Sequence, residues 1–537
     1  MGTRYDALFN TRETPQTQPI PGAVQVQNDA GGYVFGVDHW TALQRFLILG
    51  VEDNTYYATK RDLVMQAGNG TLKCVAEDGE RVVRTVVAVS HGGRAPKNDA
   101  ALFVLAICAG VGNEATRKAA FGVLRLVART STHLFQFLNY VQGFRGWGRG
   151  LRNAVAEWYL DREPQSLALQ LTKYQSREGW THLDVLRKAH PTPVTEDQRL
   201  LFQYVKTGGF KYASFGDRGV ADYLEAVELV KHADALRLSE VLDRIVAQKL
   251  PREVLPTALL NRPEVWEAML PNMPPTAMLR NLATMTKLGV LAPLNDNTAC
   301  VCERLTDSNA LQRARIHPLS MLVALGTYGR GHGDRGTAQW TPVTQIVDAL
   351  DEGFYTSFGA VEPTGKRHLL GVDWSGSMSL PQVLGGFSPA YLAAAMALVT
   401  HRVETKTEIV AFASTLKKVS LSSKMRLDDV YAATYKGAGE GTDCAIPIMY
   451  ALQRQIPVDV FVIYTDSQTW AGPVHVTQAL QKYRSAMVHD AKLVNVQMVY
   501  NTYSTVREED DESGTLNVVG IDTATPTLIS EFAKGTF

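Results

Sequence analysis

Between about Asp38 and about Phe358 the apolar residues recur three and four positions apart, the spacing that gathers them on one face of an α-helix. Asn113–Arg129 reads as one helix, with Ala120, Val123, Leu124 and Val127 on a common face. Arg149–Tyr159 repeats the arrangement with Leu151, Ala154, Val155 and Trp158. Further amphipathic stretches cover Val220–Lys231, Leu238–Leu250, Met278–Leu291 and Ile346–Phe358. Gly, Pro and Asp/Asn/Ser/Thr start signals separate them, and strand-like alternation is nearly absent. Helices of about 10 to 20 residues with short connections predict an α-solenoid of stacked helix pairs, with units of about 40 residues. No crisp repeat motif is present, so a less regular all-helical domain is the alternative.

The pattern changes after Glu362-Pro363-Thr364-Gly365. Short apolar runs, Leu369–Val372, Ile409–Phe412, Val460–Tyr464 and Leu493–Val499, now alternate with helical stretches. One helix is opened by Ser388-Pro389, an N-cap followed by a first-turn proline; others lie near Cys444–Gln453 and Val476–Met487. This order predicts a doubly wound α/β domain with helices on both faces of a parallel sheet. The chain thus divides into a polar, Pro/Gln-rich flexible arm (1–31), a helical domain (32–361) and an α/β domain (362–537).

A length of 537 residues agrees with several domains, and 45% hydrophobic with 20% charged residues is ordinary for a soluble globular chain. The five cysteines, Cys74, Cys108, Cys300, Cys302 and Cys444, form no CxxC pair, so buried free thiols in a reducing compartment are expected. Met1–Asn10 has no apolar stretch of a secretory signal, and Asp6 stands where myristoylation wants Ser or Thr. The apolar part of the longest uncharged run, Ala390–Val399, is too short for a bilayer. The expected setting is the cytoplasm, without membrane contact.

Asp373-Trp374-Ser375-Gly376-Ser377 follows directly on the apolar run Leu369–Val372. Asp373, Ser375 and Ser377 at a strand's C-terminal end can turn toward one point. Thr442 at a helix start adds a hydroxyl, and Asp466 after Val460–Tyr464 brings a second carboxylate to the same sheet edge. Such an all-oxygen set suits Mg²⁺ or Mn²⁺. The bland alternative is an Asp followed by serines that only cap a helix. The pattern resembles the metal-ion-dependent adhesion site of von Willebrand factor A domains, which implies that a partner's carboxylate joins the metal. No Asp lies two residues after Asp373, Gly359–Arg367 lacks the spacing and hydroxyl of a phosphate loop, and no G-x-S-x-G elbow occurs, so an enzyme is not expected. The acidic run Glu508–Glu512 reads as a solvated loop.

Charge enters last, because the total conceals it: 54 basic residues face 54 acidic ones. From Arg117 to Arg152, however, there are seven basic residues and no acidic one. Lys118, Arg125 and Arg129 share a helical face opposite the apolar one, and Arg149 and Arg152 lie away from Leu151, Val155 and Trp158. Between the helices, Phe144-Arg145-Gly146-Trp147-Gly148-Arg149-Gly150 combines arginines for phosphates with aromatics that could stack on bases. A solvated helix face plus an ordinary loop is the alternative.

Several short segments occur together and in order: Gly32-Tyr33-Val34-Phe35, Thr132-His133-Leu134-Phe135, Trp147-Gly148-Arg149, Thr172-Lys173-Tyr174, Gly179-Trp180, Arg315-Ile316-His317-Pro318 and Glu362-Pro363-Thr364-Gly365-Lys366-Arg367. With the domain pairing they resemble the Ro autoantigen family, a TROVE module followed by a von Willebrand factor A domain, in its bacterial form. The resemblance implies a HEAT-like helical-repeat ring closed by the A domain. It implies small noncoding Y RNA on the basic outer surface, contacted by Lys173, Arg177 and His190. It also implies that misfolded noncoding RNA, including rRNA precursors, places a single-stranded 3′ end in the central hole. A Y-RNA tether to a 3′→5′ exoribonuclease such as polynucleotide phosphorylase would direct the outcome to quality control or processing. Trp374 departs from the family's smaller residue, and its bulk would restrict access to the metal. The competing function is a metal-dependent protein-interaction module without an RNA role.

Overall fold

The structure, a computed structural model, describes residues 13–36, 39–49, 60–91, 98–209, 218–233, 237–333, 338–380, 383–422, 424–435, 441–499, 503–506, 514–521 and 525–535. The acidic run 508–512 lies outside them. The expected flexible arm is instead folded from residue 13 onward. It carries β1 (Gln25–Gln27), which pairs antiparallel with β2 (Tyr33–Gly36), and its Gln16 is fully buried.

Helices then follow from His39–Leu49 to Thr344–Thr356; among the described residues the strands between them are those of one short hairpin, β3 (Ser176–Arg177) and β4 (Trp180–Thr181). Hydrogen bonds reveal the repeat that the sequence lacks as a motif. Arg129 bonds Ser90, Ser131 bonds Gln170, Gln136 bonds Asp99, Arg145 bonds Ala109 and Gln198 bonds Leu160, each 36 to 39 residues away. Between residues 90 and 198, successive helix pairs are therefore latched by polar groups at a nearly constant offset, as stacked units require.

One expected helix is broken. Asn113 caps Glu114–Gly122, accepting from the Thr116 amide at 2.9 Å, but Val123 (φ −100°, ψ 0°) leaves the helical path and only the single turn Leu124–Val127 follows. Gly122 beside a β-branched residue makes this the weak point for helix propagation. Leu124 and Val127 still reach the core. All five cysteines are free thiols, and Cys300 is exposed where burial was expected.

The α/β domain is a six-stranded sheet in the order β11-β9-β8-β5-β6-β7, with β5 (His368–Asp373), β6 (Thr407–Phe412), β7 (Leu416–Val419), β8 (Val460–Thr465), β9 (Lys492–Gln497) and β11 (Thr515–Val519). All neighbours are parallel except the edge pair β6–β7. Ser388 caps Pro389–Val403 by accepting from the Tyr391 amide at 3.3 Å, as its sequence predicts. Alternate residues of each strand go to opposite faces. Leu369, Phe461 and Ile463 pack under Ile446–Gln453 and Val476–Ala486, while Leu370, Val372 and Val462 join the core containing Pro389–Val403 and Thr525–Lys534.

That second core does not stop at the 361/362 boundary. It continues through the helical residues back to Ala226, whereas a separate core holds Leu43 to Leu224. At the junction of the two domains, Gly326 abuts Phe387, Arg426 pairs with Asp351, and Arg402 lies over Tyr355 and Phe358. At the other end of the series, β2 pairs with β10 (Tyr503–Ser504) and His39–Leu49 touches β11. The helical series thus meets the α/β domain at both ends, which closes a ring.

Candidate cation site and basic surface

β5 and β8 are adjacent and parallel, and the chain runs outward from them in opposite directions, so their C-terminal ends form the crevice where open α/β sheets bind ligands. Asp373 ends β5 and is fully buried. One carboxylate oxygen accepts from the Ser375 amide at 2.8 Å and the other from Thr465 Oγ1 at 2.6 Å. Ser375 and Ser377 hydroxyls stand 3.3 Å apart, and Ser377 also bonds Asp466. Thr442 is buried, and its carbonyl accepts from the Trp470 and Ala471 amides at 2.9 and 3.0 Å. The sequence reading missed Thr465, which orients Asp373 from the neighbouring strand.

Burial, and then repulsion from Asp466, pushes the Asp373 carboxyl up to about 7, against hydrogen bonds from Thr465 and Ser375. Burial likewise raises Asp466. Two acids gathered in a dry crevice at the cost of their ionisation are what an oxygen-seeking divalent cation would relieve. Among the described residues no group of three or more His, Cys, Asp or Glu is assembled anywhere, so the donors here are two carboxylates plus hydroxyls. That set fits Mg²⁺ or Mn²⁺ and not a soft-ligand metal.

The basic window is less uniform than its sequence. Lys118, Arg149 and Arg152 are exposed, and no ion pair or hydrogen bond engages their side chains among the described residues. They stand on packed neighbours, Glu114–Gly122 and Arg149–Leu160, which meet where Phe121 approaches Gly150. The others have internal duties. Arg125 pairs with Asp161, and Arg129 donates to the Ser90 carbonyl at 2.8 Å. Arg145 donates to the Ala109 carbonyl at 2.9 Å and lies over Phe121. The Lys118–Arg125–Arg129 face therefore does not exist as a single stripe: the break at Val123 divides it. The loop aromatics are also occupied, Trp147 against Trp180 and Phe144 against Phe103. Lys188, which sequence reasoning missed, sits over Trp147 beside exposed Arg187.

Comparison with known proteins fits both domains. Residues 26–249 and 243–327 match the TROVE domain, and residues 367–533 match the Ro60 vWA domain. A Deinococcus radiodurans protein named RNA-binding protein RO60 is 38% identical over 532 residues, covering 98% of each chain. The chain belongs to the Ro60 family. A Caenorhabditis elegans member with the same name is 33% identical, over 95% of this chain and 90% of its own. The crystal structure of the Deinococcus radiodurans RO (RSR) protein superposes with a TM-score of 0.78 at 37% identity, covering 93% of this chain and all of that one.

Within this Ro60-family chain, the three residues implicated by resemblance sit on one hairpin and the two helices beside it. Lys173 ends Pro164–Lys173, 3.7 Å from Glu253, and Arg177 lies in β3, 3.4 Å from Glu178. His190 is exposed and caps His182–Ala189 in a left-handed conformation (φ 50°). Behind them, fully buried His182 holds the Tyr174 carbonyl at 3.1 Å and the Tyr159 hydroxyl at 2.8 Å. Among the described residues, no helix of this Ro60-family chain is long and apolar enough to cross a membrane.

Proposed function

We propose that the chain is a non-catalytic, cytoplasmic RNA-binding scaffold that takes small structured RNA on its helical surface. The observation that carries this reading is the group of uncompensated, exposed cations Lys118, Arg149 and Arg152 on two packed helices. Cations without an internal acidic partner are free to neutralise phosphates. The naming of two long-range relatives as RNA-binding proteins supports it. Y RNA then lies over the Lys173–Arg177–His190 edge, and a single-stranded 3′ end of misfolded RNA enters the ring. An exoribonuclease such as polynucleotide phosphorylase acts on what is presented. Structured RNA recognised by shape and a free end predicts that a duplex with a 3′ overhang binds more tightly than the same duplex made blunt. Equal affinities in a filter-binding titration would remove the model of ring and tail. Lys173→Ala is expected to lower the salt slope by about one, as for one lost phosphate contact.

The α/β domain adds a second function to the same scaffold. Asp373, Ser375, Ser377, Thr442 and Asp466 would hold Mg²⁺ or Mn²⁺. When bound, such an ion offers an open position to a partner's carboxylate. The chain's own residues supply the rest: Thr465 and the Ser375 amide fix Asp373, and Ser377 steadies Asp466.

A further inference from the structure

The N-terminal segment 13–36 is seated on the loop that carries Asp466, and the seat is built for it. Gln16, fully buried, donates from Nε2 to Asp443 Oδ1 at 2.7 Å and to the Val474 carbonyl at 2.9 Å. Its Oε1 accepts from Thr469 Oγ1 at 2.5 Å and from the Gly472 amide at 3.3 Å. Asn28 donates to the Thr469 carbonyl at 2.9 Å and accepts from the Gly32 amide at 2.8 Å. Thr469 Oγ1 also lies 3.2 Å from the Thr442 carbonyl, so the contact runs on to a candidate cation ligand. Glycines at both faces make the approach possible. A Cβ at Gly32 would lie 1.9 Å from the Thr469 carbonyl, and one at Gly472 would lie 2.2 Å from Asp443 and 2.4 Å from Gln16.

The far end of the same segment enters the ring. Phe35 and Gly36 pair with Ser504 and Tyr503, and the first ring helix begins at His39. Tyr503 also bonds Gln468 and Asp29 across the seat. Contact of the ring's opening end with the α/β domain therefore runs largely through this one segment.

We propose that residues 13–36 are a clasp: Gln16 and Asn28 position the loops presenting Thr442 and Asp466, and the same bonds hold the ring closed. The clasp rests on the cation reading above. Because coupling between two sites is reciprocal, a cation that fixes those loops tightens the clasp, and losing the clasp weakens the cation by the same factor.

Mn²⁺ binding to the full chain, followed by the resonance of the free ion, tests this together with hydrogen exchange of residues 13–36. The wild type is expected to bind Mn²⁺ and to slow exchange in the clasp by about tenfold when loaded, within the usual range of such coupling. Gln16→Ala should weaken Mn²⁺ by about tenfold, and Asp466→Ala should abolish the cation's effect on clasp exchange. Protected amides in Ser131–Gln142 report that each variant is folded. Asn28→Ala, which leaves Asp443 untouched, should reproduce the Gln16 effect. Wild-type Mn²⁺ affinity in both clasp variants, with clasp exchange indifferent to the ion, overturns the clasp and leaves the cation site standing. A wild type that binds no Mn²⁺ overturns the cation reading and the clasp with it.

Discussion

His182 is a residue through which acid should loosen the first half of the ring. Its Nε2 faces the Tyr174 carbonyl and must carry the proton, so Nδ1 accepts from the Tyr159 hydroxyl. Phe135 and Tyr159 close over the ring edge-on, with centroids at 4.9 and 5.8 Å. In this apolar box burial lowers the imidazole to about 4 from an ordinary 6.5. Below about pH 6.5 the unfolded chain takes up a proton that the folded one refuses until about pH 4. Stability is therefore level above that window and falls as pH falls through it. Between about pH 7.5 and about pH 5 the penalty from this one residue comes to about 2 kcal/mol, from roughly 1.4 kcal/mol per unit over about 1.5 units. His182→Gln cannot charge. It should lose about 1–2 kcal/mol at neutral pH through its poorer fit, and be spared the acid penalty. Urea unfolding followed by the fluorescence of the chain's eight tryptophans, Trp158 and Trp180 of this core among them, measures the difference. His133 and His317, also lowered to about 4 by burial, titrate equally in both proteins and cancel. Two pH curves that run parallel would refute the reasoning.

Two further substitutions separate structural from functional charge. Arg145→Ala loses the bond to the Ala109 carbonyl and should lower stability by about 1 kcal/mol, whereas Arg149→Ala should leave melting nearly unchanged and lower the RNA salt slope by about one; thermal melts beside salt-dependent binding would show an inverted pattern if the assignment is wrong. Asp373→Asn removes a carboxyl that ionises near 3.8 when unfolded but holds its proton to about 7 in the fold. Raising pH through that interval should destabilise the cation-free wild type and not the variant, and Mn²⁺ should raise the melting temperature of the wild type alone. A variant still stabilised by Mn²⁺ would place the ion elsewhere.

How much of this was legible depended on whether apolar pattern or polar detail decided it. The four central strands were visible as apolar runs because a parallel sheet buries both faces, and Ser388-Pro389 marked its helix because cap chemistry is local. Asp373, Ser375, Ser377 and Asp466 converge because strand ends set their positions. The folding of residues 13–36 was invisible for the opposite reason. Gln16 and Asn28 are buried by hydrogen bonds to loops more than 400 positions away, and a polar segment satisfied at that distance leaves no periodicity. For Arg145 the sequence shows the charge but not the bond to the Ala109 carbonyl, 36 positions away, that fixes where the guanidinium sits. The edge strand β7 is four residues long, with two lysines, too short and too polar to register beside the buried runs.

The division of the apolar interior near Tyr223, and not at the change of architecture, has a consequence for synthesis of the chain. Leu43 to Leu224 can bury their core once they have emerged, since every member of that core precedes residue 225. Ala226 to Phe358 cannot, because their core is finished by Leu370, Val372, the Pro389–Val403 helix and finally Leu528 to Ala533 near the chain's end. A growing chain would thus carry about a quarter of these 537 residues with part of its apolar face open until residues 528–533 have emerged, the interval in which such surfaces engage chaperones or aggregate. The first half of the ring can form on its own schedule. The second must wait for the helix Thr525–Lys534.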